Sequence, residues 1–245
     1  MPSAQHKETV QQAQIAITKQ GSDFRSLLHA IHSSNISNLS LLHARGKILF
    51  AEGQPARGVF ILRTGRATVS ISSSEGRVVI LRIAQPGDVL GLNAVLRSTS
   101  YNTTVKTIES CHTDFIPRAE LVELMQKNQT AAQAISQILS REVAELTERA
   151  RSLLLPKTAN AKLARLLLEW SEQSGTTNSP AARITKNFTH EEIAHMLCSS
   201  RETVTRLLAS LNKRRIIQTT SDSILIFDRG ALQKIAAVEG LDASL

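Results

Sequence analysis

Between Lys47 and about Phe115, short runs of β-branched or apolar residues alternate with glycine-bearing turns: KILFAEGQPARGVFILRTGRATVSISSSEGRVVILRIAQPGDVLG. Gly53, Gly58, Gly65, Gly76, Gly87 and Gly91 separate strands expected at Val59–Leu62, Ala67–Ile71 and Val78–Ile83, and Thr103–Ile108 and His112–Ile116 continue the series. Regular short strands with turns every eight to twelve residues or so predict an antiparallel sandwich or barrel. SSSEGR suits a hairpin turn, and Pro86-Gly87 a type II turn in which glycine supplies the positive φ.

The pattern on either side is helical. Residues 1–22 are polar and Gln-rich, as in a lead-in segment. From Asp23 to Leu42, the spacing of Phe24, Leu27, Leu28, Ile31, Ile36, Leu39, Leu41 and Leu42 predicts short helices packed on the strands. After Pro117, Leu121, Val122, Leu124 and Met125 fit a short amphipathic helix, and a long helix is expected from about Thr130 to Leu155. On it Leu139, Val143, Leu146, Ala150 and Leu153 step by four and three, a heptad seam. Such a seam either packs on its own domain or pairs with its twin; no second long helix is present to receive it, which favours the twin. Pro156 ends the helix and marks a hinge. Next come an amphipathic helix in NAKLARLLLEWSEQ, with Leu163, Leu166, Leu167 and Trp170 on the buried side, and a polar loop at Ser174–Pro180.

In Phe188–Ile217, two short helical patterns meet at a tight turn. Thr189 and Glu192 have the spacing of a capping box for the first, Glu191–Leu197. Ser199 or Ser200 would cap the second, Arg201–Asn212. Val204, Leu207, Leu208 and Leu211 form its apolar stripe, while Arg201, Glu202, Thr203, Thr205 and Arg206 fall on the other face. This is the layout of a helix-turn-helix, in which one helix braces and the other enters a DNA groove. An ordinary helical hairpin with a solvated charged face has the same spacing. Ile216-Ile217 and Ser223–Phe227 suit the strands of a small wing joined at Thr219–Asp222, and Arg229–Ala237 a last helix.

At 245 residues the chain is long enough for two ordinary domains. Its net charge of +8 favours a polyanionic partner, and five basic residues against one acid in Arg201–Arg215 place that preference locally. Cys111 and Cys198 form neither a metal-ligand spacing nor a disulfide framework, which points to a reducing cytoplasm. No apolar run approaches a membrane span, so no membrane partner is expected.

In order of parts the chain resembles the Crp/Fnr regulators, relatives of the bacterial cyclic-AMP receptor protein. The resemblance covers roughly residues 23–235. It rests on the glycine-punctuated stretch through PGDVLG, on AKLARLLLEW and on FTHEEIAHMLCSSRETVTRLLASLNKRRII, with SRETVTR close to a family signature. It implies an α+β fold: an N-terminal antiparallel β-roll (23–128), cyclic-nucleotide-binding-like, a dimerisation helix (129–155) and a C-terminal winged helix-turn-helix (156–245). The implied function is a homodimeric, cytoplasmic transcription regulator that binds double-stranded DNA and RNA polymerase. Arg201, Glu202 and Arg206 match the family's base-reading positions, and Thr189, His190, Ser200 and Thr203 its phosphate-holding positions. The chemistry agrees: Arg offers a fork to guanine, Glu accepts from cytosine, and short hydroxyls suit positioning. By analogy the half-site resembles GTGA. The structural alternatives are a dipole-favoured charge for Glu202 and a simple cap for Thr203.

The sensing end departs from the cyclic-AMP binders. Their ribose-binding glutamate position holds Leu92, beside Asn93, and the phosphate-binding arginine position falls at about Tyr101-Asn102. Only Thr147 matches a base contact, so the effector pocket is expected to hold a small molecule other than cyclic AMP, or none, with the roll then a scaffold. An iron–sulfur cluster would need about four cysteines. His6, His29, His32 and His43 show no metal-ligand geometry, and alternation puts Cys111 and His112 on opposite strand faces, against haem. Cys198 is expected to pack as a small apolar residue. Glu52, Glu75, Asp88, Glu109 and Asp114 are scattered, so no metalloenzyme of the cupin type, and no enzyme, is expected.

Overall fold

In the computed structural model, which describes residues 22–34, 36, 39–155, 158–173, 182–185, 188–220 and 223–237, the glycine-punctuated stretch folds into two antiparallel four-stranded sheets. Most of the expected lead-in, Pro156 and the loop 174–180 lie outside the described residues. The first part runs α1 (Ser22–Ser33), β1 (Leu39–His43), β2 (Ile48–Phe50), β3 (Gly58–Thr64), β4 (Ala67–Ser72), β5 (Val78–Ala84), β6 (Val89–Leu90), α2 (Leu92–Arg97), β7 (Thr104–Thr107), β8 (Cys111–Pro117), α3 (Arg118–Lys127) and α4 (Gln129–Leu154). One sheet has the order β1-β8-β3-β6 and the other β2-β7-β4-β5. Between them lies a core of Phe50, Val59, Ile61, Leu62, Leu90 and Ile116. Phe24, Leu27 and Ile31 of α1 join this core, as do Ala131, Ala134, Ile135 and Ile138 at the start of α4.

The turns follow their residues. Gly87 holds φ +96, and the Asp88 amide donates to the Gln85 carbonyl at 3.0 Å, closing the Pro86-Gly87 turn. The β4–β5 hairpin closes with the Ser73 amide donating to the Arg77 carbonyl at 2.9 Å. The helical expectation holds only to Ser33 and fails at Leu39. Leu39, Leu41 and Leu42 belong to β1, paired with Phe115, Thr113 and His112. Tertiary pairing outweighs local spacing here: β8 offers a whole edge, and the Ser40 and His43 side chains bond across it to Asp114 and Thr113 at 2.9 Å.

The chain divides into two compact units, Met1–Leu146 and Thr147–Leu245. The second contains the end of α4, α5 (Ala159–Gln173), β9 (Ala182–Thr185), α6 (His190–Leu197), α7 (Arg201–Lys213), β10 (Ile217–Thr219), β11 (Ser223–Ile226) and α8 (Arg229–Ala237). Leu163, Leu166 and Leu167 of α5 are buried, and Trp170 stacks on Phe188 with ring centroids 4.9 Å apart. The wing has three strands, order β10-β11-β9. The unexpected β9 is a four-residue segment, ARIT, too short to show a period of its own. Among the described residues no helix is long and apolar enough to cross a membrane.

Gly65 combines φ +83 with a close approach: a Cβ there would stand 2.3 Å from the Ser110 carbonyl oxygen and 2.7 Å from Cys111 Sγ. Gly65→Ala is therefore expected to destabilise the roll by about 3 kcal/mol in urea denaturation; a loss under about 0.5 kcal/mol would show that the close approach relaxes freely.

Candidate nucleic-acid interface

Both helices of the helix-turn-helix are closed at their N-termini by side chains. At α6 the Glu192 amide donates to Thr189 Oγ1 at 3.1 Å and the Thr189 amide to Glu192 Oε2 at 2.7 Å, a complete capping box. At α7 the Thr203 amide donates to Ser200 Oγ at 3.2 Å. Cys198 provides the left-handed turn between them at φ 51, and its side chain is exposed, against the expectation that it packs. The turn's backbone, not apolar burial, sets its position.

On α7, Val204, Leu208 and Leu211 are buried and Leu207 half-buried. Arg201, Glu202 and Arg206 are exposed on the other face, so one helix presents two guanidinium forks and a carboxylate within about a turn and a half. The Glu202 carboxyl is held below its ordinary value by its own amide, then by the Ser200 hydroxyl. The four expected phosphate-holding residues cluster at the two helix starts. Thr189, Ser200 and Thr203 are used in the caps, and His190 Nδ1 lies 2.9 Å from Thr205 Oγ1, joining α6 to α7. This cross-helix pair was not anticipated; the one signal for it was that Thr205 shares the reading face.

Along the seam of α4, Leu139 is half-buried against the roll core and Leu153 is half-buried. Val143 is 64% exposed, Leu146 46% exposed, and Ala150 is exposed too.

The roll encloses an open cavity of about 150 Å³. Leu92, Asn93 and Asn102 line it, among apolar neighbours such as Val69 and Leu90. Tyr101 does not: it is buried, stacks on Phe50 with centroids 3.9 Å apart, and its hydroxyl donates to the Gly58 carbonyl at 2.5 Å. Thr147 falls in the second compact unit. The sequence reading missed a cation. Arg82 of β5 lines the cavity and bonds to Asp88 and, at 3.4 Å, to Glu142 of α4. Burial opposes the Arg82 charge, but Asp88 and Glu142 outweigh it and hold the guanidinium above its ordinary value. Burial lifts the Glu142 carboxyl, with Arg82 pulling it back. A lone arginine inside the apolar strand VVILRIA was the available signal. Cys111 and His112 do point apart: Cys111 is buried, its thiol pushed up to about 11 by burial, and His112 is half-buried.

The comparisons with known proteins follow the same division. Residues 42–128 match the cyclic nucleotide-binding domain and residues 161–235 the Crp-like helix-turn-helix domain. The chain is 27% identical over 192 residues to the CRP-like cAMP-activated global transcriptional regulator of Mycobacterium tuberculosis, covering 78% of this chain and 85% of that protein. It is 28% identical over 196 residues to the nitrogen fixation regulation protein FixK of Azorhizobium caulinodans, covering 78% and 77%. Among solved structures, FixK2 from Bradyrhizobium japonicum superposes with a TM-score of 0.71 at 21% identity, over 84% of this chain and 100% of that one. With both domains matched in this order and regulators of this kind as relatives, the chain belongs to the Crp/Fnr family of transcription regulators and carries its DNA-binding helix-turn-helix.

Proposed function

We propose that the protein acts as a homodimer that reads a specific double-stranded DNA site through Arg201, Glu202 and Arg206 and responds to an effector other than cyclic AMP. The observation that carries the reading is α7 itself, whose N-terminus is fixed by Ser200, whose apolar side is buried and whose reading side chains are exposed. Arg201 and Arg206 are suited to guanine O6 and N7, and Glu202 to the cytosine amino group. A GTGA-like half-site fits these choices. Thr189, His190, Ser200 and Thr203 sit at helix starts, where amides and short hydroxyls favour phosphate.

Two exposed seam residues, Val143 and Leu146, support the twin copy, since a continuous apolar stripe is stabilised by burial against another helix. A dimer of this kind would read an inverted repeat, with half-sites about one helical turn apart. Contact with RNA polymerase is part of the same proposal, drawn from the family.

For the sensor, the cavity's cation is already matched by carboxylates from both Asp88 and Glu142, which disfavours a further phosphate. The same tie favours a second reading, in which the roll is an effector-independent scaffold: the protein's own Arg82 links β5 to α4.

Arg206→Ala should weaken binding to a duplex bearing inverted GTGA half-sites by about 1–3 kcal/mol and change binding to a scrambled duplex little, in fluorescence-anisotropy titrations. Equal losses on both would remove Arg206 from base reading. Val143→Asp is the cleaner test of the seam, because Leu146 also lines the roll cavity. The variant should sediment as a monomer; an unchanged dimer would place the interface elsewhere.

A further inference from the structure

The last turns of α4 carry one long side chain that the reading of DNA and the seam leave unexplained. Arg149 is half-buried, and its Nη2 donates to the Met196 carbonyl oxygen at 2.5 Å, across 47 residues of sequence. Met196 is buried in the final turn of α6, directly before the turn that launches α7. Carbonyls in the last turn of a helix have no partner within it, and a cation there is favoured by the helix dipole. The Ala194 carbonyl accepts from the Cys198 and Ser199 amides, so the backbone closes one of these acceptors and Arg149 closes another.

Burial holds the Arg149 guanidinium below its ordinary value, with Glu169 of α5 opposing. Burial raises the Glu169 carboxyl in turn, with Arg149 opposing. Guanidinium, helix end and influencing carboxylate come from three separate elements, α4, α6 and α5. Arg149 also precedes the seam residue Ala150 and lies one turn before Leu153.

We infer that Arg149 is a positioning residue for DNA reading, holding the turn of the helix-turn-helix by its Met196 carbonyl and so fixing the direction of α7 relative to the last turns of α4. It touches neither the bases nor the phosphates. Its effect is on how two heads are held, so it matters to an inverted repeat and little to a single half-site. This rests on the dimer reading above.

The test uses the full chain, two duplexes and sedimentation. One duplex carries inverted GTGA half-sites about one turn apart, the other a single GTGA. Wild type and Arg149→Met are titrated on both at low salt, and Arg149→Lys is included because its ammonium still donates to a carbonyl. The expected result is a dimeric Arg149→Met that loses at least about tenfold on the inverted repeat and less than about threefold on the single site. Arg149→Lys should recover most of that loss. Inverted-repeat binding within about threefold of wild type overturns the inference, and so does an equal loss on both duplexes, which would mean a damaged domain and not a misdirected one. A wild-type chain that sediments as a monomer overturns the dimer reading and this inference together, whereas failure of the inference alone appears only in the variant.

Discussion

A helix of 26 residues persists in water only where something covers its apolar side, and α4 is covered unevenly. Its first turns are part of the roll core, where Ala131, Ala134, Ile135 and Ile138 are buried. Past Leu139 the same stripe emerges, with Val143 and Leu146 in solvent. Burying an aliphatic side chain is favourable by about 1.5–3 kcal/mol, so a few such residues from each of two copies, less the cost of association, suffice to bias a dimer. The rest of the proposed mechanism depends on this exposed length. In that proposal the seam would bring two reading helices to one DNA; without it a single α7, however well capped, offers one short contact.

Glycines at tight turns and apolar strand residues maintain the barrel walls independently of what the space holds. At the two positions expected to meet a cyclic nucleotide, Leu92 and Tyr101 are buried, and the Tyr101 hydroxyl is used on the Gly58 carbonyl. Arg82 lines the cavity and is paired with both Asp88 and Glu142. Two carboxylates near one guanidinium leave no net positive charge for a phosphate, and they tie β5 to α4 through a pair that is largely shielded from solvent.

Most strands and helices were legible because each announces itself locally: Gly87 at a positive φ, the Thr189–Glu192 capping box, the Val204–Leu208–Leu211 stripe. What was not legible depends on distant partners. Leu39–His43 is a strand because β8 has an edge to offer, and Ala182–Thr185 because β11 does. Arg82 and Glu142 are 60 residues apart, and neither looks unusual alone. Arg149 belongs to the same class: in sequence it is one more charge beside a seam, and only folding brings it to a helix end. Cys198 erred the other way, since a small residue in a turn was assumed to pack when the turn required its backbone instead.

The start of α7 joins these threads. Ser200 fixes the Thr203 amide, and the Glu202 carboxylate rests on its own amide and on the Ser200 hydroxyl. A helix N-terminus favours an anion, and in the free protein Glu202 takes that place. To accept from a cytosine amino group, the carboxylate exchanges these hydrogen bonds for one of similar strength. The net gain is therefore small when the base is right and negative when it is wrong, because a base without the amino group leaves the carboxylate desolvated. Arg201 and Arg206 are exposed and do not face this exchange. Within the proposed reading head the arginines supply affinity that is specific to guanine, and Glu202 acts mainly by rejecting wrong bases.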